Sequence, residues 1–420
     1  MELLNQYGTI LVVLTAIFGF FMAFGIGAND VSNAMGTSVG SGTITAKQAI
    51  FIAMIFEFGG AYLAGGEVTE TIKSGIIDTS LFINQPDTLV LGMMSALLAA
   101  GVWLLLASKM GWPVSTTHVI IGAIIGFGCL TVGAEAVQWS QLGGIVASWI
   151  VTPFIAGVVA YLIFTSTQKL IFDTSEPMKN AQRYGPFYMA LTAFILSIVT
   201  MTKGLKHVGL HLTTEEIIAI ALSISAFAVI TCYFYFRSAA FANRVQGSKF
   251  GGVEKVFSIL MLLTACSMAF AHGSNDVANA IGPLSAVVSV VESGGLIQDK
   301  AALAPWVLPL GAAGIVVGMA VMGYKVIGTM GSGITDLTPS RGFSAEFACA
   351  MTVVIASGTG LPISTTQTIV GAILGVGFAR GIAALNLGII RNIVVSWIIT
   401  IPAGAFFAII IYLALNAIFR

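Results

Sequence analysis

Two polar motifs, which we call the Asn-Asp motifs, interrupt long apolar stretches of the chain. They read GANDVSNAMG at residues 27–36 and GSNDVANAIG at residues 273–282. Each places an Asn beside an Asp and a second Asn four positions after the first, so that on a helix both amides share one face near the carboxylate. Amide, carboxylate and unwound backbone oxygens are hard ligands that suit Na⁺ better than a soft metal. Glycines flank the polar groups, and we expect the backbone to unwind at them. They are Gly25, Gly27, Gly36, Gly273 and Gly282.

Four acidic residues lie in apolar surroundings: Asp30, Glu57, Asp276 and Glu346. An ionised carboxylate inside a membrane costs roughly 2.5 kcal/mol or more unless it is paired or faces water. Because Lys and Arg are concentrated in the loops, a bound cation is a natural counter-charge. A protonated acid, or one capped by a helix end, is an equal alternative for Glu57 and Glu346. The predicted sodium ligands are Asn29, Asp30, Asn275, Asp276, Glu57 and Glu346.

A second pair of motifs, the hydroxyl motifs, combines a proline with three hydroxyl residues. Residues 112–117 read WPVSTT and residues 361–366 read LPISTT. Proline suits the first turn of a helix, where free N–H groups and the positive end of the dipole attract anions. Two such turns facing each other could hold a tetrahedral oxyanion without Lys or Arg, whereas the alternative is that each hydroxyl bonds back to its own helix. The predicted anion ligands are Ser115, Thr116, Thr117, Ser364, Thr365 and Thr366, with Asn33 and Asn279.

The apolar segment after each hydroxyl motif is short. Residues 119–130 would form about 18 Å of helix, less than the roughly 30 Å of hydrocarbon in a bilayer. A broken or re-entrant half-helix is therefore predicted after Pro113, and another after Pro362.

The composition is that of a membrane protein. Hydrophobic residues make up 57% of the 420, and charged residues only 9%, too few for the surface of a soluble domain. Ten apolar runs, with the two short segments, predict about twelve membrane segments. No cleaved signal peptide is expected, and the net charge of zero indicates no nucleic-acid partner. The ten runs lie near residues 8–28, 47–66, 88–108, 141–165, 186–202, 214–236, 254–275, 303–324, 343–358 and 388–418.

Both kinds of motif recur in the same order in the second half, about 250 positions later. SWIVT at 148–152 is matched by SWIIT at 396–400, and KSGIID at 73–78 more faintly by GSGITD at 331–336. Four matches in one order indicate an internal duplication.

Basic residues indicate how the two halves lie in the membrane, because Lys and Arg collect in cytoplasmic loops. None precedes the first Asn-Asp motif, whereas Arg237, Arg244, Lys249 and Lys255 precede the second. The first half is thus expected to start outside the cell and the second half inside. Such inverted repeats are a hallmark of secondary transporters, whose sites lie near the membrane midplane.

These arguments predict an all-α polytopic membrane protein with two inverted-topology repeats. The first repeat covers residues 1–165, a connector with two extra transmembrane helices covers 166–252, and the second repeat covers 253–420. The N-terminus is expected outside and the basic central loops in the cytoplasm.

Together the Asn-Asp and hydroxyl motifs resemble those of the inorganic phosphate transporter (PiT) family, across both halves of the chain. The resemblance implies a symporter that moves inorganic phosphate with Na⁺ as its coupling ion, or with H⁺ and often as metal–phosphate complexes in other members. It implies a role in transport for Ser115 and Ser364, and it matches Glu57 and Glu346 to the intramembrane glutamates of the family. His272 also matches a family position, although a single His there could equally be structural.

Two residues depart from the family pattern or from its internal repeat. Ser32 stands where the second motif has Ala278, and Gln367 stands where the first hydroxyl motif has His118. The chain lacks the long hydrophilic central insert of animal members, which fits a compact prokaryotic form in the inner or plasma membrane.

Other functional classes fit the residues less well. A cation/proton antiporter would use Asp30 and Asp276 but leave the hydroxyl motifs without a role, and a passive channel would not need paired acids facing paired anion sites. A membrane phosphatase lacks any recognised catalytic motif, so we predict no catalytic residues and no enzymatic activity. The expected partners are inorganic phosphate, sodium ions and the lipid bilayer. The G-x-x-x-G pairs Gly122/Gly126 and Gly371/Gly375 could pack helices within one chain or in a homodimer.

Overall fold

The computed structural model describes residues 2–204, 212–238, 241, 251–297, 303–327 and 334–419. Regular structure in these ranges is helical, apart from one isolated bridge between Ile77 and Val137. The α-helices are α1 (Glu2–Gly40), α2 (Ala46–Ala64), α3 (Gly66–Ser74), α4 (Pro86–Met110), α5 (Thr116–Thr131), α6 (Trp139–Thr167), α7 (Pro177–Val199), α8 (Thr214–Arg237), α9 (Gly251–Glu292), α10 (Val307–Met322), α11 (Pro339–Gly358), α12 (Thr365–Arg380) and α13 (Leu387–Phe419). Shorter 3₁₀ or π turns cover Thr79–Phe82, Ala134–Ala136, Gln168–Phe172, Thr200–Gly204 and Ile382–Ala384.

Most of these helices are built to lie in a membrane. Eight are long and apolar enough to cross one, namely α1, α2, α4, α6, α7, α8, α9 and α13. Each of the ten predicted apolar runs contains a helix, and α5 and α12 supply the two short segments. Large apolar side chains such as Phe154, Phe227 and Phe234 are exposed, as lipid contact requires. The chain is an all-α multi-pass membrane protein, as predicted.

The two predicted half-helices are present as α5 and α12, each 16 residues long. They differ from the prediction at their first turns, because neither proline lies inside the helix. Pro113 and Pro362 precede the capping serines, Ser115 and Ser364. A proline keeps the residue before it extended, so each segment enters its helix as extended chain. Pro113, Pro362 and both serines are buried, so the half-helices begin inside the protein.

The expectation that the Asn-Asp motifs unwind the backbone is wrong. Residues 27–36 lie within the unbroken 39-residue α1, and residues 273–282 lie within the unbroken 42-residue α9. The glycines instead allow close approach of another helix. A Cβ on Gly27 would lie 1.9 Å from the carbonyl oxygen of Ile315 on α10, and one on Gly273 would lie 2.2 Å from that of Glu57 on α2.

Helices of the two halves pack against each other in matching pairs. α1 packs on α4 and α10, while α9 packs on α11 and α2. Likewise α5 packs on α13, and α12 packs on α6. These pairs follow the duplication, in which α1, α2, α4, α5 and α6 correspond in order to α9, α10, α11, α12 and α13. The inverted orientation of the repeats and the limits of the three segments stay predictions.

The G-x-x-x-G pairs are used within the chain. A Cβ on Gly122 would lie 2.3 Å from the carbonyl oxygen of Ile401, which places α5 directly against α13. A Cβ on Gly375 would lie 2.0 Å from the carbonyl oxygen of Gly157, which places α12 directly against α6. These contacts fix both half-helices to long membrane helices.

The predicted connector contains α7 and α8, which pack on each other. The basic residues Arg244 and Lys249, and residues 331–333 of the faintest repeat match, lie outside the described residues.

The contact between α2 and α9 gives a test with an internal control. A Cβ on Gly60 would lie 2.0 Å from the carbonyl oxygen of Phe270, whereas one on the neighbouring Gly59 would meet only a Phe270 ring carbon at 4.0 Å. Alanine favours a helix over glycine by about 1 kcal/mol, so Gly59→Ala should leave thermal stability unchanged or slightly raised. Gly60→Ala should destabilise by about 1–3 kcal/mol because the helices must separate.

The measurement is thermal unfolding of both purified variants in the same detergent. Equal midpoints for Gly60→Ala and Gly59→Ala would contradict the close approach of these helices.

Candidate ion and anion site

A fully buried cluster of three carboxylates surrounds one histidine where α1, α2 and α9 meet. His272 Nδ1 lies 3.0 Å from Glu57 Oε2, and its Nε2 lies 3.1 Å from Asp276 Oδ2 and 3.7 Å from Asp30 Oδ2. The Asp residues of the two repeats thus come together, and one ligand atom from each of Asp30, His272 and Asp276 lies within 4.8 Å of the others. We call this group the acidic cluster.

Several oxygens of the acidic cluster accept no hydrogen bond from the described part of the chain. They are both oxygens of Asp30, both oxygens of Glu57 and Asp276 Oδ1. Of these, Asp30 Oδ2 and Glu57 Oε2 are the ones that face His272. Buried polar atoms without a partner are rare in folded proteins. A single imidazolium could offset only one of three negative charges, so two or more remain for protons or bound cations to neutralise.

The two half-helices converge on the same cluster. Thr116 Oγ1 on α5 donates to Asp276 Oδ2 at 3.2 Å, and Thr365 Oγ1 on α12 donates to the same oxygen at 2.9 Å. Each threonine is the first residue of its helix, where the positive end of the helix dipole lies. The first turns of both half-helices therefore donate to a single anionic oxygen.

Ser115 and Ser364 act as the N-caps of these helices. Ser115 Oγ accepts from the backbone N–H of His118, and Ser364 Oγ accepts from that of Gln367, both at 3.2 Å. The serines thus bond to their own helices, as the alternative reading of the hydroxyl motifs had it. In a cap, however, the hydroxyl oxygen is the acceptor, so its hydrogen can still be donated to another oxygen.

The remaining predicted anion ligands bond to one another across the two repeats. Asn33 Nδ2 on α1 donates to Thr366 Oγ1 at 2.8 Å, and Asn279 Nδ2 on α9 donates to Thr117 Oγ1 at 3.2 Å. The structure thus brings all eight predicted anion ligands to the first turns of α5 and α12, but these four are engaged in two separate hydrogen-bonded pairs.

Asn29 and Asn275 hold the segments that lead into the half-helices. Asn29 Nδ2 donates to the carbonyl oxygen of Trp112 at 2.9 Å, and its Oδ1 accepts from the N–H of Val114 at 3.2 Å. Asn275 Nδ2 donates to the carbonyl oxygen of Leu361 at 3.3 Å. Each amide also donates to a serine of the neighbouring helix, at 3.3 and 3.0 Å respectively. Both residues were predicted as sodium ligands, and the structure gives them hydrogen bonds that position the hydroxyl motifs.

Glu346 does not join the acidic cluster. Its Oε1 accepts from Thr37 at 2.5 Å and from Ser38 at 2.7 Å, and its Oε2 accepts from Thr264 at 3.0 Å. Thr37 follows Asp30 by two turns of α1, about 10 Å along the helix axis. The structure therefore separates the two predicted glutamates, with Glu57 in the cluster and Glu346 capped by hydroxyls elsewhere.

The central position of His272 was missed by reasoning from the residues alone. It lies four positions before Asp276, the spacing that places two side chains on one helix face, and that spacing was the available signal. His118 is different, because its ring packs on Trp149 with 3.9 Å between centroids and its Nδ1 faces the carbonyl oxygen of Trp397 at 3.5 Å.

Comparisons with known proteins identify the family. The profile of the Phosphate transporter family matches residues 26–408. A protein of Haemophilus influenzae named "Putative phosphate permease" is 69% identical over 420 residues, covering 100% of both chains. One of Pyrococcus furiosus with the same description is 43% identical over 405 residues, covering 96% of each chain.

A solved structure titled "The sodium-dependent phosphate transporter" is similar with a TM-score of 0.91 and 40% identity, covering 97% of this chain and 100% of that one. The chain is therefore a multi-pass membrane transporter rather than an enzyme, and it belongs to the phosphate transporter family.

Proposed function

We propose that this protein is a secondary symporter that moves inorganic phosphate across the cell membrane, driven by a Na⁺ gradient. One observation carries the proposal. Thr116 and Thr365, from opposite half-helices, donate to the same Asp276 oxygen that lies 3.1 Å from His272 in the acidic cluster. Donors suited to an oxyanion and oxygens suited to a cation thus meet at one buried atom. The structural similarity to "The sodium-dependent phosphate transporter" supports Na⁺ as the coupling ion.

The sodium ligands that the geometry favours are the oxygens of Asp30, Asp276 and Glu57. They are hard oxygen donors, fully buried, and several of them have no hydrogen-bond partner in the described chain. Asn29 and Asn275 support the site by holding the hydroxyl motifs. Glu346 lies outside this set because three hydroxyl donors already surround it.

Phosphate is proposed to bind between the first turns of α5 and α12. Its ligands would be the hydroxyls of Ser115, Thr116, Ser364 and Thr365, with the backbone N–H groups that begin each helix. In the structure Asp276 accepts both threonine hydroxyls. Sodium bound at Asp276 would compensate for their loss when the hydroxyls turn to a phosphate oxygen.

Charge counting explains why coupling to a cation is needed. Two helix N-termini supply about half a positive charge each, whereas phosphate carries one to two negative charges and the acidic cluster adds at least two more. Two or more Na⁺ ions would bring the site near neutrality. Their binding should precede or accompany that of phosphate.

Proton coupling is the second candidate, with phosphate alone or as a metal complex. The observation that favours it is the position of His272, between Glu57 at 3.0 Å and Asp276 at 3.1 Å, because an imidazole can carry a proton near neutral pH.

We further propose that the N-terminus lies outside and that the basic loops around α7 and α8 face the cytoplasm, as the distribution of Lys and Arg predicts. The homodimer also stays a prediction, since the two G-x-x-x-G pairs pack helices within the chain.

Linkage between the two ligands tests the proposed coupling. Phosphate affinity should rise steeply with Na⁺ concentration, and by thermodynamic reciprocity Na⁺ affinity should rise with phosphate. The measurement is isothermal titration of phosphate into the purified protein at a series of Na⁺ concentrations, with choline as the replacement ion. Asp30→Asn removes one cluster charge and should flatten the Na⁺ dependence.

Tight phosphate binding in Na⁺-free choline buffer near neutral pH would contradict sodium coupling. If that binding strengthened as the pH was lowered, the proton-coupled alternative would be favoured.

The hydroxyls can be tested separately from the cation site. Thr116→Val and Thr365→Val keep the side-chain shape but remove one donor each, and each should weaken phosphate binding by about 1–3 kcal/mol. Thr368→Val is the matched control, because Thr368 is buried on α12 and donates back to the carbonyl oxygen of Ser364 at 2.8 Å. Phosphate affinities equal to that of the control would remove these hydroxyls from the proposed phosphate site.

A further inference from the structure

Thr117 and Thr366, the third hydroxyl residues of the two motifs, make a reciprocal contact between the half-helices. Thr117 Oγ1 donates to the carbonyl oxygen of Ile363 at 2.8 Å, and Thr366 Oγ1 donates to that of Val114 at 3.2 Å. Val114 and Ile363 are the residues immediately before the capping serines. Each half-helix therefore bonds to the chain just before the start of the other, and both threonines are buried.

The two hydroxyls are engaged as acceptors as well as donors. Thr366 Oγ1 accepts from Asn33 at 2.8 Å, and Thr117 Oγ1 accepts from Asn279 at 3.2 Å. A hydroxyl has one hydrogen to donate, and here a backbone carbonyl accepts it. A phosphate oxygen could take that hydrogen only if the carbonyl, which is also buried, lost its bond.

The partners show that each network joins the repeats twice. One network runs from Asn33 of the first repeat to Thr366 of the second and back to Val114 of the first. The other runs from Asn279 of the second repeat to Thr117 of the first and back to Ile363 of the second. Asn279 Nδ2 also donates to Thr116 Oγ1, at 3.3 Å. Thr116 and Thr365 still differ from the third hydroxyl residues, because their own hydrogens go to the Asp276 carboxylate rather than to a backbone carbonyl.

We propose that Thr117 and Thr366 are positioning residues rather than phosphate ligands, and that together they form a clasp that holds the N-termini of α5 and α12 against each other. The clasp keeps the donors of both half-helices aimed at one point. Its role in transport rests on the proposed function, because it matters only if that point receives the anion. The clasp itself is a property of the protein without any ligand.

Hydrogen exchange of the purified protein in buffer free of phosphate and Na⁺ tests the clasp directly. Thr117→Val should speed exchange in the opposite segment, residues 363–366, by about threefold to tenfold, as loss of one buried hydrogen bond would. Thr366→Val should do the same for residues 114–117. Thr117→Ser and Thr366→Ser keep the donor and should exchange like the wild type. Thr352→Val is the matched control, because it removes a buried hydroxyl of α11 that donates back to its own helix, at the carbonyl oxygen of Ala348.

The result that overturns the proposal is unchanged exchange across the pair in both valine variants, whether or not phosphate affinity falls. Should a valine variant fail to fold, the alanine variant at the same position removes the same donor and must speed exchange in the opposite segment. Unchanged exchange in that alanine variant overturns the proposal in the same way. Because exchange is read without phosphate, its outcome is independent of the proposed function. If the wild-type protein bound no phosphate, the proposed function would be contradicted. The exchange result would still test the clasp.

Discussion

The burial of three carboxylates around one histidine is the constraint on which the rest of this structure depends. Charged groups in a low-dielectric interior require compensation within a few ångströms, and here His272 is the basic group in contact with Asp30, Glu57 and Asp276. The close packing of α1, α2 and α9 removes bulk water from these groups. The glycines at positions 60 and 273 make that packing possible, since a side chain at either would overlap a backbone carbonyl. Burial of this kind leaves negative charge that protons or bound cations must neutralise.

The duplication supplies a symmetric frame, and a few unmatched residues supply the charge. In the repeat, His272 corresponds to Ile26. Glu57 corresponds to Ile315, because the carbonyl of Glu57 lies against Gly273 and the carbonyl of Ile315 lies against the equivalent Gly27. The pair of Glu57 and His272 therefore occurs once. In contrast, the asparagines, the hydroxyl motifs and the glycine contacts occur twice. The residues that occur twice hold the half-helices. The pair of Glu57 and His272, which occurs once, adds a third carboxylate and a basic group to the two repeated Asp residues of the acidic cluster.

The sequence was sufficient for features that depend on composition and local pattern. Hydropathy placed the apolar helices, the prolines marked the half-helices, and the repeated Asp residues do meet in space. It was insufficient where one residue type serves two purposes. Glycine permits both unwinding and close helix contact, and only the position of Ile315 distinguishes these at Gly27. Glu346 and Glu57 have similar apolar surroundings in the sequence. Only the packing of their helices places Glu57 beside His272 and Glu346 beside three hydroxyls. His272 sits in an apolar helix, where a single histidine is equally compatible with a structural role.

Because the Asn-Asp motifs lie on unbroken helices, side chains rather than unwound carbonyls would bind the ions in the proposed function. One carboxylate oxygen therefore makes several of the contacts in the site. Asp276 Oδ2 is contacted by the histidine and by both threonines that begin the half-helices. In the proposed mechanism, a cation at that oxygen weakens its need for the two hydroxyls, and the hydroxyls then become available to phosphate. An anion arriving alone would have to compete with the carboxylate for the same donors, and a cation alone would leave those donors without a strong acceptor. The shared oxygen thus gives the site a physical reason to bind both ligands together.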